Sequence, residues 1–367
     1  MKLLVQPDDG MMPLIRGIET AKRSVEIVIF RFDRNDIERA LDNAVARGVS
    51  VTALIAYLNR GGEKKLRKLE MRLLQAGVTV ARTADDLVRY HDKFMVVDRK
   101  VLYLLAFNFT YLDVEHSRSF GVITQDRRHV QEAVKLFEAD TLRRRYTAGL
   151  DEFVVSPVNA RKQLTAFIKG AKRQLLIYDP KVSDPAMIRL LEERAKDGVE
   201  IKIIGRLTHA AEGVMVSKPA IRLHTRTIVR DRQLTFIGSQ SLCELELDAR
   251  REVGIITRNK KVSEGVSKTF EEDWVKAEAA RDLIPVDGGM PATKAAKKAV
   301  KAIARELPPV VPILEDAVRK VVGRDAEINL DVEEVEETVR GAIKAAVKEV
   351  VDDAVQEAVE QELKSVG

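Results

Sequence analysis

The sequence is short of cysteine, of aromatic residues and of long apolar runs, and each shortage closes a route. A single cysteine, Cys243, forbids an intramolecular disulfide and fits a reducing compartment. No group of Cys and His has zinc spacing, so neither a structural metal nor another cofactor is expected. No stretch approaches the roughly 18 uncharged apolar residues that span a bilayer. The N-terminal "MKLLVQPDDG" breaks at Gln6 and Pro7, too early for the core of a signal peptide. These shortages predict a cytoplasmic protein, with peripheral membrane contact as the other option. Aromatic residues make up 5% of the chain, too few to favour base stacking along a single strand.

Charge is plentiful and unevenly placed. Residues 289–367 hold 12 Lys/Arg and 16 Asp/Glu, which leaves 50 against 41 in the first 288. A basic body suits an anionic partner such as nucleic acid or a phospholipid surface, and suits equally a surface kept charged for solubility. At 367 residues the chain exceeds one ordinary core.

The chain also repeats itself. "LLVQPDDG" (3–10) lies over "FVVSPVNA" (153–160) at an offset of 150, "IETAKRSVEIVIF" (18–30) over "IKGAKRQLLIYDP" (168–180), and "ALDNAVARGVSVTALI" (40–55) over "LLEERAKDGVEIKIIG" (190–205). Each copy reads as strand, helix, strand, a helix ending at glycine, and strand. Beyond residue 205 the offset becomes 133, because the second copy lacks the charged helix "GGEKKLRKLEMRLLQAG" (61–77). At the new offset "HDKFMVVD" (91–98) meets "HTRTIVRD" (224–231), and "RSFGVIT" (118–124) meets "REVGIIT" (251–257).

Two His-x-basic-x4-Asp segments in register with a repeat found independently resemble the phospholipase D superfamily, whose mark is His-x-Lys-x4-Asp followed by a Gly-Ser-x-Asn-like segment in each of two lobes. The first copy supplies His91, Lys93, Asp98 and Asn108; the second supplies His224, Arg226, Asp231, "GSQS" at 238–241, and Glu252. The resemblance, over roughly residues 2–280, implies an α/β fold of two phospholipase D-type lobes related by a pseudo-two-fold, each a β-sheet flanked by helices. The expected boundaries are 1–148, 149–288, and a helical tail from 289 to 367.

The residue types fit displacement at a phosphodiester without a metal, which needs a nucleophile on one side of phosphorus and an acid at the leaving oxygen on the other; imidazole serves for both. Lys93 and Arg226, two residues beyond each histidine in an extended chain, share its face and are expected to bind phosphate oxygens with Asn108 and Ser239. The resemblance implies that Asp98 and Asp231 support the motif structurally. It assigns the nucleophile to His91 and leaves His224 as acid and base, aided by Glu252, the carboxylate 28 residues further on. The carboxylate taken by itself favours His224 as the better-tuned imidazole, since its counterpart behind His91 is Ser119, for which Asp113 or Glu115 would have to substitute. Arg226 keeps the charge of lysine in a planar, bulkier group, Ser241 stands where the first copy has Asn108, and Leu105 and Ala106 stand where the second has Gly238 and Ser239. His116, His129 and His209 read as ordinary surface or loop residues.

The implied activity is hydrolysis of, or transfer from, a phosphodiester through a phosphohistidine, with phospholipid as first substrate in the manner of phospholipase D or cardiolipin synthase. A nuclease of the same superfamily is the alternative, and a non-catalytic phosphate-binding scaffold the third. In the tail, Ala-rich helix runs to about Glu306, "LPPVVP" interrupts it, and a last helix over 331–364 carries an apolar stripe from Val332 to Val359. The stripe suits packing or self-association, while Lys294, Lys297, Lys298 and Lys301 suit an anionic membrane surface.

Overall fold

The computed structural model describes residues 1–57 and 63–282. The tail expected from 289 lies outside the described residues. The first copy runs β1 (Lys2–Gln6), α1 (Met12–Glu19), β2 (Ser24–Ile29), α2 (Asn35–Ala46), β3 (Ser50–Ile55), α3 (Glu63–Gln75), β4 (Thr79–Arg82), β5 (Arg89–Tyr90), β6 (Phe94–Val97), β7 (Val101–Leu105), α4 (Tyr111–Glu115), β8 (Ser117–Thr124) and α5 (Arg127–Thr141). The second runs β9 (Phe153–Ser156), α6 (Ala160–Lys169), β10 (Gln174–Val182), α7 (Pro185–Lys196), β11 (Glu200–Leu207), β12 (Val214–Ser217), β13 (Arg222–Leu223), β14 (Arg226–Arg230), β15 (Leu234–Gly238), α8 (Glu244–Asp248), β16 (Arg250–Thr257) and α9 (Lys260–Asp282). The order repeats except at α3, where the sequence offset changes.

Each copy builds one mixed sheet: β1-β8-β7-β6-β2-β3-β4 in the first and β12-β11-β10-β14-β15-β16, with β9 also against β16, in the second. Among the strands that pair within their own copy, parallel pairing is confined to β2-β3-β4 and β10-β11-β12, where a helix makes the crossover or a loop replaces it. The α2 and α7 crossovers end as the sequence predicts, at Gly48 (φ +81°) and Gly198 (φ +86°), left-handed positions that side chains rarely adopt.

The central strands are buried on both faces, so they read as near-continuous apolar runs. Met95 and Val97 of β6 point to the outer helices α1 to α3, whose Leu14, Ile18, Ile37, Leu41, Leu69 and Leu73 close that core. Phe94 and Val96 point the other way, into a core that both copies share. There they join Phe120 and Val122 of β8, Leu176 and Tyr178 of β10, and Val253 and Ile255 of β16, together with Phe137 from α5 and Phe270 and Trp274 from α9. The two lobes are fused back to back, and Met1–Asp282 is one compact unit. No helix among the described residues is long and apolar enough to cross a membrane.

The motif aspartates pin hairpin turns. Asp98 Oδ1 accepts from the amides of Lys22 (3.0 Å), Arg23 (2.6 Å) and Ser24 (3.0 Å), tying the β6–β7 turn to the start of β2. Asp231 Oδ1 does the same for Lys172, Arg173 and Gln174 ahead of β10. The repeated Ala-Lys-Arg of the sequence thus contributes backbone N–H groups.

Two short strands leave their own lobe. β5 pairs in parallel with β16 of the second copy, and β13 pairs in parallel with β8 of the first. Each leads straight into a histidine, whose amide extends the pairing: His91 N donates to the Arg251 carbonyl at 2.8 Å and His224 N to the Arg118 carbonyl at 3.1 Å.

Candidate active site

The exchange decides which side chains meet. His91 lies beside β16, and its Nδ1–H donates to Glu252 at 2.9 Å from Oε2 and 3.0 Å from Oε1. Glu252 is fully buried and His91 is 6% exposed. A carboxylate only accepts, so the contact fixes the Nδ1–H tautomer and turns Nε2 away from it. The expectation that Glu252 serves His224 is therefore corrected. A carboxylate on β16 meets the histidine of the other copy because β5, and not β13, runs along β16.

His224 has a different setting. Its Nδ1–H donates to the Ala106 carbonyl at 3.1 Å, and its Nε2 lies 3.5 Å from Oδ2 of Asp113 on α4. Ser119, the counterpart of Glu252, is fully buried with its hydroxyl unpartnered. Asp113 itself accepts from the Asn108 amide N–H (3.1 Å), from Asn108 Nδ2 (2.6 Å) and from Arg222 Nη1 (2.6 Å).

The two cations sit between these halves. Lys93 is fully buried, its ammonium donates to the His91 carbonyl, and it lies 5.4 Å from the Phe30 ring centre. Phe30 also meets the His91 ring edge-on at 4.5 Å. Arg226 donates from Nε to Ser241 Oγ (3.1 Å) and from Nη1 to the His224 carbonyl (3.3 Å), and its Nη2 stands 3.5 Å from Glu246 on α8. Ser241 thus holds the arginine that replaces lysine. Ser239, expected at a phosphate, is fully buried; its hydroxyl accepts from Val253 N (3.1 Å), donates to Val253 O (3.3 Å) and lies against Glu252.

Burial sets the protonation. It holds His91 well below its ordinary value, and Lys93 and Arg226 push the same way. It lowers His224 too, against the pull of Asp113 and with Arg226 and Lys93 adding to the fall. Both imidazoles feel the same two cations. Lys93 is pushed down to about 7 by burial despite Glu252. Burial would raise Asp113, yet His224, Arg222 and Asn108 hold it at about 2.

Sequence reasoning passed over Phe30, Arg222 and Glu246. The last two had a signal: at the offset of 133 they fall on Arg89 and Asp113. Of the other histidines, His116 and His209 are exposed, whereas His129 on α5 is buried, 3.6 Å from Asp126, and is corrected from surface to interior.

A family model described as cardiolipin synthase, PLD-like domain, matches residues 14–141 and 164–274, more than half the chain and both histidine segments. A mitochondrial cardiolipin hydrolase from Mus musculus is 30% identical over 37% of this chain and 59% of its own length. A polyphosphate kinase from Pseudomonas aeruginosa is 23% identical over 73% of this chain and 44% of its own. In fold the chain is similar to a polyphosphate kinase from Porphyromonas gingivalis (TM-score 0.63, 17% identity, 74% of this chain and 49% of that one). It is also similar to a phosphatidylserine synthase from Haemophilus influenzae (TM-score 0.57, 10% identity, 73% and 84%). The chain spans 59% or less of these two curated relatives. The named enzymes share chemistry at phosphorus and differ in substrate.

Proposed function

The chain belongs to the phospholipase D superfamily, in the family of cardiolipin synthase, PLD-like domains, and on that footing we propose that it cleaves or transfers a phosphodiester through a phosphohistidine on His91, without a metal. The observation that carries the reading is the Glu252–His91 contact, which commits Nδ1 and leaves Nε2 of a neutral imidazole as the nucleophile. Phosphate oxygens bind between Lys93 and Arg226, with the second amide hydrogen of Asn108 as a neutral donor.

In the first step Nε2 of His91 bonds to phosphorus, the bond to the leaving oxygen breaks, and protonated His224 gives that oxygen its proton. Burial disfavours the charged form of His224; the negative charge of a bound phosphate favours its protonation. In the second step water, or an alcohol in the transfer reaction, attacks phosphorus and gives its proton to His224. The P–N bond breaks, and His91 returns to its starting state.

Phospholipid is the substrate we assign. Leu112 on α4 and Leu245 on α8, repeat-equivalent and 50% and 41% exposed, flank Asp113 and Glu246 and offer apolar contact beside the phosphate site. The test is incubation in EDTA with phosphatidylglycerol vesicles, with single-stranded DNA and with bis(p-nitrophenyl) phosphate, beside His91→Asn and His224→Asn. Lipid turnover that falls at least about 1,000-fold in each variant is expected. DNA cleavage without lipid turnover would select the nuclease, and turnover of none the non-catalytic scaffold.

A further inference from the structure

We propose that Asp113 is a positioning carboxylate of His224: from α4 of the first lobe it supplies, at Nε2, the negative charge that favours the imidazolium, whereas Glu252 serves His91 through Nδ1. The inference rests on the phosphohistidine reading and concerns its acid step.

The need arises from the repeat. The position that should carry a carboxylate behind His224 holds Ser119, whose buried hydroxyl contacts no partner. A carbonyl, that of Ala106, takes the Nδ1 proton instead. A neutral acceptor fixes the ring but does little to favour an imidazolium. The charge comes from the other side of the ring, where Asp113 Oδ2 stands 3.5 Å from Nε2.

Asp113 is built to hold that place. It is 3% exposed and its own amide donates to the Thr110 hydroxyl at 3.3 Å, the cap of α4. Asn108 supplies two donors and Arg222, on the exchanged strand β13, a third. These contacts keep the carboxylate ionised, so its charge favours the His224 imidazolium without taking the proton. Four charged groups face His224: Asp113 from α4, Arg226 from β14, Lys93 ahead of β6 and Arg222 from β13. Asp113 alone among them favours the imidazolium. The sister position, Glu246, accepts from the Ser241 amide as Asp113 does from Asn108, but it is one methylene longer and reaches Arg250 at 3.0 Å. His91, already served by Glu252, has no need of it.

The test uses the full chain and two lipids that share a phosphatidyl group: phosphatidyl-p-nitrophenol, whose leaving group needs no proton, and phosphatidylglycerol, whose alkoxide does. Asp113→Asn is expected to slow the first turnover of phosphatidylglycerol by roughly 100-fold, the scale of general-acid assistance, while the nitrophenyl ester loses only a few-fold. The alkaline limb of the kcat profile on phosphatidylglycerol should move to lower pH. Asp113→Glu, which keeps the charge and copies the sister residue, should restore most of the rate. The ratio of the two rates cancels any unfolded fraction. Equal losses on both lipids, or wild-type behaviour on both, would overturn the inference while leaving His91 in place. Turnover surviving in His91→Asn would overturn the phosphohistidine reading and this inference with it.

Discussion

Asp92 stands between His91 and Lys93, and its fate follows from the alternation that puts those two on one face. Its side chain is buried, and neither carboxylate oxygen has a hydrogen-bond partner of good geometry. The neighbouring cation, Arg251, is held by Asp140 at 3.0 and 2.9 Å. Burial pushes Asp92 up to about 6. A carboxyl raised in the folded state contributes stability below its unfolded value, and that contribution is lost as pH rises through about 6. Asp92→Asn is therefore expected to stabilise the protein by about 1–3 kcal/mol at pH 8 and by almost nothing at pH 4, measured by urea unfolding. Equal destabilisation at both pH values would mean that the carboxylate has an ionised partner. The sequence made the shared face of His91 and Lys93 legible. It carried no sign that Asp92 would find no partner, because that depends on Asp140 claiming Arg251 from 111 residues away.

The elements that were legible are those with a period. β2, β3, β10 and β11 alternate or run apolar, and α2 and α7 end at glycines, so both copies could be drawn from the sequence alone. β5 and β13 have two residues each and no period, and their pairing with the opposite sheet joins segments 161 and 105 residues apart. That is why the sequence pairs Glu252 with His224, whereas the fold sets it beside His91. The β6–β7 and β14–β15 turns offer a test at this scale. Asp98 and Asp231 each hold three backbone amides, so Asp98→Ala and Asp231→Ala should each cost about 1–3 kcal/mol at pH 7. Burial raises both carboxyls, but the amides outweigh it and hold both below the ordinary range. A lowered value places the stabilisation above the unfolded value and removes it as pH falls. The penalty should shrink at pH 3, and urea titrations at the two pH values measure it.

At the scale of the molecule, neither lobe holds a complete site. His91 takes its carboxylate from the second copy, His224 takes its carbonyl and carboxylate from the first, and the shared core of Phe94, Phe120, Val253 and Phe270 locks the copies in register. The duplication has also diverged: one histidine is backed by a carboxylate on Nδ1, the other by a carbonyl. In the proposed mechanism that asymmetry gives them different tasks. Rapid quench with phosphatidyl-p-nitrophenol labelled in its phosphate tests the assignment most directly. The account predicts an acid-labile adduct on Nε2 of His91, accumulating in His224→Asn, absent in His91→Asn and formed roughly 100- to 10,000-fold more slowly in Glu252→Gln. An adduct on His224, or turnover by His91→Asn with no adduct at all, would contradict it.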